Sequence, residues 1–266
     1  MIGVRGTTRV LGIIGDPLAH ARAPEMVNAV IAERGADAVL VPMLVHGGEL
    51  APAVAGLRAI GSFGGAVVTM PHKQAIVPFV QRLERSAAET GAVNVIRREA
   101  DGTLTGDMLD GEGFLAGLRS IGQDVAGRRV LLLGAGGAAI AIAVAVARAG
   151  AAAITIVNRT HARAEELAAR VDAPGVAVRV ASDAHGDHDV VINATSAGMR
   201  PDDPMPLDPA VLRPGMVVSD IIVGPRRTPL VEAAEARGCV VQNGDAMLAG
   251  QTQLMVDFLL GGSAAG

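Results

Sequence analysis

The 266-residue chain has no tryptophan, no tyrosine and only four phenylalanines. Its core must therefore be aliphatic, built from valine, isoleucine, leucine, methionine and alanine. The missing tyrosine also argues against a short-chain reductase, whose proton donor is normally a tyrosine hydroxyl. A single cysteine, Cys239, excludes an internal disulfide and a cysteine-built zinc cage, and it fits a reducing cytoplasm. It reads as a small buried apolar residue. No metal site is read elsewhere. Charge of one sign is scarce: 23 Lys and Arg against 27 Asp and Glu leave a net −4. That balance gives no electrostatic reason for nucleic acid or an anionic membrane to bind. The opening "MIGVRGTTRV" lacks the apolar run of a signal peptide. The longest apolar stretch, "AAIAIAVAVARAGAAAITIV", is broken by Arg148 and Gly150, so it reads as a buried helix followed by a strand, not a membrane span.

What is present is a large apolar fraction, 50% of the chain against 19% charged. That suits one large or two modest α/β domains with a sizeable core. "VLGII" (10–14), "AVLVPMLV" (38–45) and "GAVVTM" (65–70) read as strands. Helices are expected between them at 24–35 and 49–61, the first opened by Pro24 and closed by Gly35. This alternation implies a mostly parallel sheet covered on both faces. A second series begins near residue 110 with a helix ending at Gly122. Strands "RVLLLG", "AITIVN", "VAVRVA", "DVVINAT" and "MVVSDII" follow, with helices "GAAIAIAVAVARAG" and "THARAEELAARV" interleaved. That is a doubly wound unit of the length a dinucleotide-binding fold requires. A long helix, "DAMLAGQTQLMVDFLLGG", closes the chain before a frayed "GGSAAG" tail. Two domains are expected, with a ligand in the cleft at the carboxyl ends of the strands.

Gly134, Ala135, Gly136, Gly137, Ala138 and Ala139 form G-x-G-x-x-A between a strand and a helix. Gly134 permits the tight turn, Gly136 lets the backbone approach a pyrophosphate, and Ala139 keeps the helix close to the sheet. The helix N-terminus then offers free N–H groups to phosphates. The next strand ends in Asn158, Arg159 and Thr160 with no carboxylate. An acidic residue there would hold the ribose 2′-hydroxyl of NAD, whereas an arginine accepts the 2′-phosphate of NADP. NADP is therefore favoured over NAD. The plainer readings are a solvated loop arginine and, for Thr160, a helix cap, which is expected in any case. Asn193, Thr195 and Ser196 end a later strand and read either as the nicotinamide side of the cleft or as a hydrogen-bonded turn.

Lys73 follows a strand end, and Asp110 precedes a helix where the two series meet. Oxidising an alcohol by hydride transfer needs a group to take the hydroxyl proton, and a lysine positioned by a carboxylate can do so. From spacing alone the plainer readings, a solvated lysine and an N-cap aspartate, are favoured.

Taken together, "GDPLAH", "VVTMPHK", "GAVNVI", "GDMLDGEGF", "GAGGAA", "NRTHARAEELA", "NATSAGM" and "GDAMLAGQ" occur in this order along nearly the whole chain. The set resembles the shikimate dehydrogenase family. The resemblance implies an α/β fold of two domains: a substrate domain at 1–107, completed by the C-terminal helix at 244–266, and a Rossmann-like NADP-binding domain at 108–243. It implies hydride transfer between NADP(H) and a hydroxyl or keto group of shikimate or a related cyclic polyol, by a monomer or homodimer. Lys73 and Asp110 become the catalytic pair, Thr69, Asn94 and Gln251 substrate residues, and Asn158, Arg159 and Thr160 the adenosine-phosphate clamp. Met247 is implied to lie near the nicotinamide.

The resemblance also exposes departures. The family usually places Ser-x-Ser-Pro after "G-x-P-x-x-H", its two hydroxyls binding the substrate carboxylate; here these are Ala21 and Ala23. Val67 replaces an asparagine, Met108-Leu109 replace Asn-Thr, and Val223 replaces a tyrosine. Each change swaps a polar contact, worth roughly 0.5–1.5 kcal/mol or about 3 with a charged partner, for an apolar one. Altered substrate choice is expected, unless Arg22, His20 or His72 compensates. The alternative is a non-catalytic NADP-binding sensor.

Overall fold

The computed structural model describes residues 3–19, 21–200, 202–224 and 227–261. His20 and the expected frayed tail from residue 262 lie outside the described residues. The chain divides into two compact units, Met1–Leu109 with Gln251–Gly266, and Asp110–Gly250.

The first unit is built on β1 (Arg9–Gly15), α1 (Ala23–Glu33), β2 (Ala38–Leu44), α2 (Leu50–Ala59), β3 (Phe63–Val68), α3 (His72–Ala75), β4 (Arg82–Leu83), α4 (Arg85–Thr90), β5 (Val95–Arg98) and β6 (Leu104–Asp107). Its sheet runs β2-β1-β3-β5-β6-β4. β1 pairs in parallel with β2 and β3, and β4 with β6, but β5 is antiparallel to both of its neighbours. The alternation of apolar strands with helical segments foretold the parallel half. The β5–β6 hairpin was not foreseen, because its strands are short and "VIRREADGTLTGD" carries a run of charge at Arg97, Arg98 and Glu99. Leu11 and Ile13 of β1 pack on Val27, Val30 and Ile31 of α1 and on Met255, Val256 and Leu259 further along the chain, all buried.

The second unit contains α5 (Asp110–Ser120), β7 (Arg129–Leu133), α6 (Gly137–Arg148), β8 (Ala153–Val157), α7 (His161–Arg170), β9 (Ala177–Ala181), β10 (Val190–Asn193), β11 (Val217–Asp220), α8 (Pro229–Ala236) and β12 (Val240–Gln242). All six strands are parallel, in the order β12-β11-β10-β7-β8-β9. This is the doubly wound order with its switch point between β7 and β10, where ligands of such sheets bind. Along β7, Val130 and Leu132 enter one cluster with Phe114, Leu118, Ile142, Val146 and Leu167, while Leu131 and Leu133 enter another with Leu230 and Ala234. The period-2 alternation of a strand buried on both faces accounts for this split. Helix α8 was missed in the sequence, although Thr228 caps it by accepting the Val231 N–H and Pro229 opens it. The last helix, α9 (Gly244–Leu260), crosses from the second unit into the first.

Helices α5 and α6 meet through small residues. A Cβ on Gly111 would overlap the Ala141 carbonyl oxygen and the Ala145 methyl, so glycine is what lets α5 approach. Asp110 opens that helix and is 2% exposed.

Candidate active site

In the first unit, the carboxyl ends of β1, β3 and β6 share one sheet edge with the residues that lead into β5. Thr69 N–H donates to the Ile14 carbonyl at 2.9 Å, and Asp16 N–H to the Met70 carbonyl at 2.9 Å. These bonds lock the lip after β1 to the segment carrying Thr69. A Cβ on Gly15 would overlap the Thr69 Cγ2, so the two segments touch only because Gly15 has no side chain. Lys73 follows on α3 and is half-buried, and its carbonyl accepts the Val93 N–H at 2.7 Å. The next residue, Asn94, is fully buried, and its Oδ1 accepts the Leu109 N–H at 2.8 Å. Thr69, Lys73 and Asn94 are therefore brought to one edge by backbone pairing. Gln251, on α9, is buried in the same unit.

Ala21 and Ala23 are half-buried and pack against the cluster containing Leu11, Val27, Leu109 and Val256. No hydroxyl faces a ligand from either position. Arg22, between them, is exposed. His72 does not supply a carboxylate anchor. Its ring is 1% exposed, and its Nε2 lies 2.7 Å from the Val45 carbonyl, which can only accept, so that nitrogen carries a proton committed to the backbone.

In the second unit, Gly134 has φ +107°, and a Cβ there would come within 2.7 Å of the Ala194 carbonyl. The glycine loop is thus pressed against the segment that follows β10. Ala135 and Ala138 are half-buried; Gly136 is the exposed N-cap of α6, with extended backbone, and Gly137 begins the helix. A Cβ on either glycine would meet nothing within 4 Å, so the loop fronts open space at a helix N-terminus, as a pyrophosphate requires. Asn158, Arg159 and Thr160 follow β8, the last two exposed. Thr160 takes the N-cap position of α7, but its hydroxyl makes no capping bond, contrary to expectation. Asn158 Nδ2 donates instead to the Thr160 carbonyl at 2.8 Å, fixing this turn without using the arginine.

The polar end of β10 is built from within. Asn193 Oδ1 accepts the Thr195 N–H at 3.1 Å and its O–H at 2.7 Å, and Thr195 Oγ1 accepts the Ala197 N–H at 3.0 Å. Ser196 is exposed beside them. Asn193 Nδ2 donates to Asp220, a residue the sequence reading passed over because "VVSD" looks like an ordinary strand end. Asp220 is 1% exposed, and burial pushes its carboxyl above the usual carboxylate range. Hydrogen bonds from Thr228, Ile222 and Asn193 oppose that rise. Met247 is buried in the cluster around α5 and α6. Cys239 is half-buried, and burial raises its thiol. Among the described residues, no cluster of His, Cys, Asp and Glu could hold a metal ion, and no helix is long and apolar enough to cross a membrane.

A parallel doubly wound sheet with an open glycine loop at its switch point, joined to a second α/β unit carrying a lysine and an asparagine on its strand-end edge, defines a two-domain oxidoreductase that uses a pyridine dinucleotide. Residues 13–96 match the shikimate dehydrogenase substrate binding domain and residues 117–201 match shikimate / quinate 5-dehydrogenase. The chain belongs to the shikimate dehydrogenase family. It is 43% identical to the shikimate dehydrogenase (NADP(+)) of Rubrobacter xylanophilus over 251 residues, covering 92% of this chain and 88% of the relative. Among solved structures, the shikimate dehydrogenase of Aquifex aeolicus superposes with a TM-score of 0.89 at 31% identity, covering 97% and 95% of the two chains. The ligand-free 5-ketofructose reductase of Gluconobacter sp. superposes with a TM-score of 0.88 at 36% identity, covering 97% and 94%.

Proposed function

We propose that this protein is an NADP-dependent dehydrogenase whose preferred substrate is a cyclic polyol or its ketone without a carboxylate. When bound at the glycine loop, the dinucleotide supplies the hydride acceptor or donor. In the oxidation direction Lys73 takes the proton from the substrate hydroxyl as the carbinol hydrogen leaves as hydride, and a ketone results; in reduction it returns that proton. Asp110 is the carboxylate that orients the lysine amine. Thr69, Asn94 and Gln251 hold the remaining hydroxyls. Arg159 with Asn158 and Thr160 takes the 2′-phosphate, and Thr195, Ser196 and Met247 attend the nicotinamide half.

The observation that carries the substrate reading is the lip. Ala21 and Ala23 pack into an apolar cluster where the family usually presents hydroxyls, beside an edge that keeps Thr69, Lys73 and Asn94. The likeness to a 5-ketofructose reductase supports a polar, uncharged substrate, since the ketone in that protein's name bears no carboxylate. The single cysteine fits a reducing cytoplasm. The test compares kcat/KM for shikimate, quinate, uncharged cyclic polyols and 5-ketofructose with both cofactors. Higher kcat/KM on an uncharged compound supports the reading; shikimate as the best substrate by tenfold or more would overturn it.

A further inference from the structure

We propose that Asp220 is a positioning residue for the cofactor, acting through Asn193 on the loop 194–198 that flanks the glycine loop. The proposal rests on reading the second unit as the NADP domain. Burying a carboxylate costs more than burying an apolar side chain such as Val217 or Val218 earlier on the same strand. All three donors to Asp220 are neutral, and they come from three segments. Asn193 Nδ2 and Ile222 N–H reach Oδ1 at 3.1 Å each, and the Thr228 hydroxyl reaches Oδ2 at 2.6 Å. The convergence uses both carboxylate oxygens, and the link to Asn193 needs only an acceptor at the Oδ1 position.

The consequence runs through the amide of Asn193. With Nδ2 held by Asp220 and by the Ala197 carbonyl at 3.2 Å, Oδ1 must face Thr195. A flipped amide would set its NH2 against both the N–H and the O–H that Thr195 now donates. Thr195 therefore gives its hydroxyl proton to Asn193 and accepts from Ala197, which leaves it one lone pair and no proton for a ligand. It suits a donor on the cofactor, such as a carboxamide N–H or a ribose hydroxyl, and not a phosphate oxygen. Ala194 N–H bonds the Leu133 carbonyl at 2.8 Å, and the Ala194 carbonyl sits against Gly134, so a shift of this loop would press on the glycine turn.

The experiment measures binding of NADPH, by its own fluorescence, and of adenosine 2′,5′-bisphosphate, by calorimetry. The first spans both halves of the site; the second reports only the adenosine end at Arg159. Asp220→Ala and Asn193→Ala, which cut the same link from opposite ends, are expected to weaken NADPH about tenfold and leave the bisphosphate within about twofold. Asp220→Asn, whose amide oxygen still accepts from Asn193, is expected to stay within about threefold of wild type for both. Equal weakening of both ligands in the alanine variants marks a general structural role and overturns the proposal, as does unchanged NADPH affinity in both. Wild-type protein that binds neither molecule overturns the cofactor reading, and this proposal with it.

Discussion

The two sheets finish their strands in different ways. At the ends of β10 and β11, Asn193, Asp220 and Thr228 answer one another's donors and acceptors, so the direction of every polar group is fixed. At the lip after β1, Ala21 and Ala23 are held by apolar packing, which excludes water but sets no direction for a polar ligand. Hydrogen bonds specify; burial of methyl groups only fills space. A family member can therefore change its substrate at the lip while the edge bearing Lys73 and Asn94, and the whole cofactor sheet, stay as they are.

The largest test of that contrast is Lys73→Ala. General acid–base catalysis contributes about 10²–10⁴ in rate, so kcat should fall by roughly a thousandfold while NADPH affinity stays within about twofold. An unchanged kcat would remove the lysine from the chemistry. The lip comes next. Ala21→Ser combined with Ala23→Ser returns two hydroxyls to a carboxylate, each worth about 1–1.5 kcal/mol, so kcat/KM for shikimate should rise by roughly thirtyfold or more. No gain would mean that the alanines do not govern substrate choice. Arg159→Ala should weaken NADP by about tenfold or more and leave NAD within twofold, because a charge-assisted bond to the 2′-phosphate is worth about 1.5–3 kcal/mol. Equal loss for both cofactors would place the arginine elsewhere.

How much of this could be read from residues alone follows the same division. The cofactor sheet was legible almost strand by strand, because strands buried on both faces are continuous apolar runs and the helices between them are alanine-rich. The glycine loop was legible because its order, strand then glycines then helix, carries its own mechanism. The β5–β6 hairpin and the two-residue β4 were not, since strands of two to four residues with charged or small polar members look like a loop. Helix α8 announced itself through Thr228-Pro229 and Gly238, yet no long apolar face marked it. Asp220 was invisible for a different reason. A carboxylate at a strand end reads as solvated until the donors around it are known, and those come from Asn193 and Thr228, 27 and 8 residues away. Thr160 takes the N-cap position but not the capping bond expected of it, and the Asn158 amide donates to its carbonyl.

The contact between α5 and α6 tests how rigidly the second unit holds Asp110. Gly111→Ala drives a methyl into the Ala141 carbonyl, and the obstacle is backbone, not a movable side chain. Overpacking of this kind costs about 1–3 kcal/mol, which urea unfolding would measure as a lower midpoint at an unchanged slope. Activity should drop as well, since Asp110 is the residue immediately before. A variant as stable as wild type would mean that α5 can shift away freely, and would weaken the picture of a fixed second unit.

The smallest expected effect lies at the far end of the same sheet. Asp189 precedes β10 and accepts from the Arg129 backbone N–H at 2.9 Å and from its guanidinium at 2.7 and 3.0 Å, and Arg129 also pairs with Asp187. The bonds from the Arg129 side chain, then from its backbone, hold the Asp189 carboxyl down to about 2. Because the folded value lies below the unfolded one near 3.9, the native state binds fewer protons there. The group therefore adds stability above about pH 4, and that contribution is lost as the pH falls from 4 towards 2. Both side chains are more than a third exposed, so solvent screening keeps the effect to under about 1 kcal/mol. Asp189→Asn should flatten the acid limb of stability against pH between 4 and 2 by that amount and leave cofactor affinity at pH 7 unchanged. An undiminished acid limb would assign that slope to other carboxylates, and a change in NADPH binding would tie this end of β10 to the loop at its other end.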